Sequence, residues 1–147
     1  MKKILITGGS GFLSKNLSIY FNQNIHLTYN KKKIKFKKHN YHKINLENYE
    51  SVKAIIKKIN PEIIINTAGL TNVETCEKQK GKALRKNFRI VKNLVNECKK
   101  KKIKFIQIST DHLFDGIKKN KYSEKSKTKP LNFYAKTKLL SEKYIQL

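Results

Sequence analysis

The join at residues 3–14 constrains the fold more than any other stretch. Lys3–Thr7 (KILIT) is a short apolar run that passes without a spacer into Gly8, Gly9 and Gly11. Leu13, Leu17, Tyr20 and Phe21 then recur at i, i+4, i+7 and i+8, the period of an amphipathic helix over Phe12–Asn22. A buried strand, a glycine turn and a helix in that order open a β/α unit. Glycines at such a join allow a tight turn and let the backbone approach a pyrophosphate, which then rests on the helix N-terminus. No Gly-Lys-Ser/Thr follows, which argues against a Walker-type phosphate loop.

The same alternation runs on. Ile25–Tyr29, Asn40–Ile44, Glu62–Asn66 and Lys104–Ser109 read as further strands, with Glu62–Asn66 (EIIIN) the best candidate for a buried one. Between them, residues 47–59 carry Val52, Ile55, Ile56 and Ile59 on one helical face, and Pro61 closes that helix. A long helix running to about Lys100 carries Leu84, Phe88, Val91, Val95 and Cys98 at helical spacing. The lysine run at 31–38 reads as a solvated loop, 110–132 as a polar loop and 133–147 as a last helix. Strands alternating with helices predict an α/β fold built on a doubly wound parallel sheet, a Rossmann nucleotide-binding fold occupying residues 1–147 as one domain.

Composition narrows the partners. The formal charge of +24 rests on 34 basic residues against 10 acidic ones, and only Arg85 and Arg89 are arginine. Base-reading proteins lean on arginine forks and single-strand binders on aromatic platforms. Lysines spread along the whole chain, with isoleucine and asparagine also abundant, read instead as compositional bias, and no specific nucleic acid is expected. No apolar stretch is long enough to span a bilayer, so no membrane partner is expected either. Two cysteines without metal-ligand spacing, and a start lacking a secretion signal, point to a reducing cytoplasm and no metal.

At the end of the second strand, "LTYNKKK" offers no carboxylate for a ribose 2′-hydroxyl. Asn30 and Lys31, with Lys32 and Lys33 behind them, favour the 2′-phosphate of NADP(H) over NAD(H). Near the other end, Tyr134 stands four residues before Lys138, on one helical face. Such a pair suits proton delivery, because a nearby ammonium lowers a phenol pKa of about 10 toward neutrality. Tyr29–Lys33 and Tyr49–Lys53 share the spacing, so the pair gains meaning only from its company.

That company is a series of four segments in order: "TGGSGFL", "NTAGLTNVETCE", "STDHLFDG" and "YSEKSKTKPLNFYAKTKLLSE". Together they resemble an extended short-chain dehydrogenase/reductase, most of all the dTDP-4-dehydrorhamnose reductases, over the N-terminal half of such an enzyme. The resemblance implies NADPH-dependent reduction of a 4-keto nucleotide-sugar. It assigns Gly8, Gly11, Phe12 and Leu13 to the pyrophosphate, Asn45 and Leu46 to the adenine, and Ala68 and Gly69 to the cofactor's ribose and phosphate side. Thr110 would hydrogen-bond the substrate carbonyl, Tyr134 would protonate it, and Lys138 would bind the nicotinamide ribose and tune Tyr134.

Departures from the family pattern carry their own expectations. Ser14 stands where a third glycine is usual, which keeps close packing but weakens cofactor affinity. His112 stands where nucleotide-sugar dehydratases carry glutamate, which argues against dehydration; it is a loop histidine near the sugar or, alternatively, a base. The resemblance also implies a C-terminal nucleotide-sugar-binding part beyond residue 147, so this chain is expected to be a truncated product or fragment that lacks the residues for substrate recognition and is active only in the complete protein. Two other uses of the scaffold stay open: a nucleotide-sugar epimerase, and a non-catalytic dinucleotide-binding or regulatory module.

Overall fold

The computed structural model describes residues 2–21, 24–31 and 39–147. Five parallel strands form one sheet in the order β3-β2-β1-β4-β5. They are β1 (Lys3–Thr7), β2 (Asn24–Tyr29), β3 (Asn40–Lys43), β4 (Ile63–Asn66) and β5 (Lys104–Gln107). The helices are α1 (Phe12–Tyr20), α2 (Tyr49–Ile59), α3 (Val73–Lys78), α4 (Lys80–Ala83), α5 (Ile90–Lys101) and α6 (Phe133–Gln146). The chain builds outward from β1 to β3, then returns to the other side of β1 for β4 and β5. This is the doubly wound Rossmann arrangement, and its order reverses between β1 and β4.

β1 and β4 are apolar on both sides because both faces of the sheet are covered. On one face Leu5 and Ile64 pack with Val52, Ile56 and Ile59 of α2 and Ile90, Leu94 and Cys98 of α5. On the other, Ile4, Ile6, Ile25, Leu27 and Ile65 meet Leu17 and Phe21 from α1 and its end. α2 ends as its sequence dictates: Asn48 caps its start by accepting from Ser51 N–H at 2.8 Å, and Asn60 turns left-handed at φ 48° just before Pro61.

Two helical faces differ from the sequence expectation. In α1, Tyr20 is 84% exposed and Leu13 also faces out, while Ser14 and Ser18 are fully buried. The glycine turn brings this helix so close to the sheet that only small side chains fit along the contact. The expected single helix up to about Lys100 is broken at Gln79 (φ −126°, ψ 59°), and Leu84–Arg89 forms a wide π-type turn between α4 and α5. The buried line therefore runs through Ala83, Asn87, Ile90, Val91, Leu94 and Val95, leaving Leu84 exposed. π segments tend to occur where function requires an irregular helix, and this one turns Asn87 into the interior. The loop after β5 contains a short 3-10 turn at Asp111–Leu113. The lysine loop at 31–38 lies outside the described residues after Lys31.

Candidate active site

Above the point of reversal, two contiguous cavities of about 290 and 350 Å³ share Gly11, Thr67, Ala68 and Gly69 along their common wall. The first is also lined by Gly8, Asn30, Asn45 and Leu46, and the second by Phe12, Leu13, Tyr134 and Lys138. Of the candidate catalytic and cofactor-binding residues among the described ones, Thr110 and Lys31 line neither. Thr110 stands just past Ser109, which does line the second cavity, and Lys31 is exposed beyond Asn30. Lys32 and Lys33 lie outside the described residues.

The glycine loop is shaped by hard contacts. Gly8 adopts φ +69°, and a Cβ there would come within 3.0 Å of the Ala68 backbone. At Gly9 a Cβ would stand 2.8 Å from Leu27 Cβ, so the loop can lie flat on β2 only without a side chain. Ser14, expected to keep close packing in place of a third glycine, is fully buried and donates its hydroxyl to the Gly8 carbonyl at 2.7 Å. Gly11 caps α1 without a side chain, and the first turn carries no acid. The amino end of α1 thus presents backbone N–H groups at the cavity wall, a partner for an anion such as a diphosphate. These features fit a dinucleotide.

Polar side chains tie the strand ends beneath the cleft. Thr7 donates to Asn66 Oδ1 at 2.5 Å, and Asn66 Nδ2 donates to Gln107 Oε1 at 2.8 Å. Asn66, at the end of β4, is fully buried and also lines the second cavity, so it ties the strand ends together and forms part of the cleft wall.

α6 delivers the tyrosine and lysine. Asn132 caps it by accepting from Ala135 N–H at 2.8 Å, and Phe133 N–H donates to Glu77 at 2.5 Å. Tyr134 is half-buried, and burial pushes its phenol up; the Thr110 side chain pulls the other way, while Cys76 and Asp111 add to the rise. Lys138 is held down by burial, and its ammonium donates to the Ile108 carbonyl. The expected lowering of Tyr134 by Lys138 is therefore corrected: the lysine is turned to the end of β5, and desolvation dominates both groups. Thr110 accepts from His112 N–H at 3.3 Å and approaches Asp111 at 3.3 Å.

Asn87 was not singled out in the sequence. Fully surrounded in the π segment, it accepts from Leu70 N–H at 2.7 Å and donates to the Leu70 carbonyl and to Thr137 Oγ1, both at 3.0 Å. It thereby locks the loop after β4 to α6, and it lines the cavity that holds Tyr134. Its signal was a polar residue inside an apolar helical period. Lys86 was also missed; it lines the first cavity and pairs with Glu47 at 2.5 Å. Among the described residues no group of three or more His, Cys, Asp or Glu side chains could hold a metal ion, and no helix is long and apolar enough to cross a membrane.

A family model described as the RmlD substrate binding domain matches residues 1–147. The dTDP-4-dehydrorhamnose reductase of Aggregatibacter actinomycetemcomitans is 29% identical over 145 residues, covering 99% of this chain and 47% of that protein. A hypothetical dTDP-4-dehydrorhamnose reductase from Sulfolobus tokodaii has a solved structure that superposes with a TM-score of 0.88 at 34% identity, covering 97% of this chain and 51% of that one. The dTDP-4-dehydrorhamnose reductase of Bacillus anthracis, solved in complex with NADP, superposes with a TM-score of 0.83 at 25% identity, covering 99% and 49%. The chain spans about half the length of the relatives it matches.

Proposed function

This chain belongs to the RmlD substrate-binding-domain family, and we propose on that premise that it is the cofactor-binding and catalytic half of an NADPH-dependent reductase of a 4-keto nucleotide-sugar. One observation carries the reading: Tyr134 and Lys138 line the same cavity as Phe12 and Leu13 at the amino end of α1. A dinucleotide laid across the glycine loop would reach from the Asn45–Leu46 side of the first cavity to the tyrosine in the second.

When bound, a reduced nicotinamide supplies hydride. The chain's own groups manage the oxygen that gains charge as a ketone is reduced. Tyr134 donates a proton to that oxygen, and Thr110, beside it, contributes a second hydrogen bond. Lys138 lies one helical turn on, partly buried and bonded to the Ile108 carbonyl; its ammonium is the group to hold a ribose hydroxyl and to favour phenolate once the cleft fills. Gly8, Gly11, Phe12 and Leu13 hold the diphosphate, Ala68 and Gly69 the adjoining ribose and phosphate, and Asn45 and Leu46 the adenine. At the β2 end the cavity wall contains Thr28, Tyr29 and Asn30 and, among the described residues, no carboxylate. Lys31 follows directly, an arrangement that supports NADPH over NADH.

Two measurements test the proposal. NADPH should raise the melting temperature of the 147-residue chain more than NADH does, because a ligand that binds only the folded state stabilises it. In a form extended to the length of the relatives, Tyr134→Phe should abolish NADPH consumption with a 4-keto nucleotide-sugar while leaving the NADPH-induced shift intact. Normal turnover in that variant would overturn the assignment of Tyr134.

A further inference from the structure

The loop between β5 and α6 carries a histidine whose protonation pattern the neighbouring hydrogen bonds decide. We propose that Asn132 holds His112 as the tautomer protonated on Nε2 and so makes it a substrate-positioning donor beside Tyr134. The inference deepens the reductase reading and rests on it for the identity of the substrate.

The argument begins with the cap of α6. Ala135 N–H can only donate, so the atom of Asn132 that meets it at 2.8 Å is the amide oxygen. The other end of that amide, Nδ2, faces His112 Nδ1 at 3.2 Å. An amide NH2 can only donate, so Nδ1 must offer a lone pair, and a neutral ring then carries its proton on Nε2. One helix cap thereby sets the polarity of a ring on a different segment.

The segment also lies beside Tyr134. His112 N–H donates to Thr110 Oγ1 at 3.3 Å, and the imidazole stands edge-on to the Tyr134 ring, centroids 5.9 Å apart and planes at 81°. His112 is exposed, and Nε2 has no hydrogen-bond partner among the described residues. A donor without a partner among the described residues therefore belongs to a ring that stands against the proposed proton donor. A 4-keto sugar carries hydroxyl groups on carbons next to its ketone, and one such oxygen is the acceptor this N–H fits.

The first test needs no turnover. Long-range proton–nitrogen correlation spectra of the 147-residue chain, at a pH where imidazole is neutral, should show a pyrrole-type Nε2 and a pyridine-type Nδ1 for His112; His112→Phe assigns the signals. Asn132→Asp keeps an oxygen for the cap but replaces the donor with an acceptor, so it should move a proton onto Nδ1. A proton on Nδ1 in the unaltered chain, or spectra indifferent to Asn132→Asp, would overturn the proposal.

The second test reads the substrate. His112→Gln can place an amide N–H near the position of Nε2, whereas His112→Asn replaces only the Nδ1 side. In the extended, active form, His112→Asn should raise KM about tenfold with a smaller change in kcat, the scale of one lost hydrogen bond, and His112→Gln should recover most of it. Equal KM values for the two variants would refute the donor role. If Tyr134→Phe turned over normally, the reductase reading would fall, while the tautomer result would stand on the spectra alone.

Discussion

Replacing Asn87 by leucine should cost this fold more than any single change on its surface. The amide is buried and makes three hydrogen bonds, two to the main chain of Leu70 and one to Thr137. Leucine nearly conserves the volume but leaves both Leu70 groups without that partner. At about 0.5–1.5 kcal/mol net for each bond, the loss is about 1.5–4.5 kcal/mol. For a domain near this size about 4 °C is lost per kcal/mol, so the melting temperature should fall by roughly 6–18 °C. Urea titration should show an earlier midpoint with an unchanged slope, since the surface exposed on unfolding stays the same. Adding Thr137→Val to Asn87→Leu should cost less than Thr137→Val alone, because the bond they share is already gone. A loss under about 0.5 kcal/mol, within the range of ordinary surface substitutions, would refute the view that this amide clamps α6 to the loop after β4.

Other consequences are simpler to state. Gly9→Ala drives a Cβ to 2.8 Å from Leu27 and 3.0 Å from the Thr28 carbonyl; overpacking of this kind costs about 1–3 kcal/mol, visible in a thermal melt. The Cys98 thiol is pushed up to about 12 by burial and then by Glu97, against an ordinary value of 9.0. A raised folded-state pKa contributes stability that is complete below pH 9 and lost as pH climbs toward 12, at up to about 1.4 kcal/mol per pH unit. Melts across that range should flatten in Cys98→Val. His26 and His42 lie 3.0 Å apart, ring nitrogen to ring nitrogen. Burial holds both below the ordinary 6.5, helped by Lys3 at His26 and by His26 and Lys58 at His42. Their contribution is present above pH 6.5 and lost as pH falls through the folded values, so stability should drop on acidification from neutrality. His42→Asn should weaken that dependence; an unchanged pH profile would remove the pair from the account.

Much of the architecture was legible because the relevant signals are local. Lys3–Thr7 is a run of β-forming residues ended by glycine, and the strand occupies those same five residues. Val52, Ile56 and Ile59 were expected inside and are, since one regular helix lies over one flat sheet. Legibility failed where the path of the chain depends on a distant contact. Tyr20 fits the helical period of α1 as well as Phe21 does, and only the closeness of Gly9 to β2 decides that Ser14 and Ser18 take the inner face. Leu84 and Phe88 fit a regular helix that the π turn interrupts, and nothing in the local sequence announces such a turn. The cleft residues were found through glycines and motif order, whereas Asn87 earns its place from partners 17 and 50 residues away. The relation of Lys138 to Tyr134 depended on where a long flexible side chain finds its acceptor, which spacing does not encode.

The reversal of strand order also imposes a sequence of events on folding. β1 pairs with β2 at a separation of 21 residues, Lys3 opposite Asn24, but with β4 at 59, Ile4 opposite Ile63. Loop closure costs entropy that grows with the logarithm of the separation, and non-local pairings are reached late. The first half of the sheet can therefore assemble as a local unit, while the β1–β4 seam waits for the larger closure. The cleft lies on that seam, between Gly8 and Ala68. A nucleotide seated there would bridge the two halves and slow their separation, making the lifetime of the folded chain, as much as its equilibrium stability, a property of what it binds.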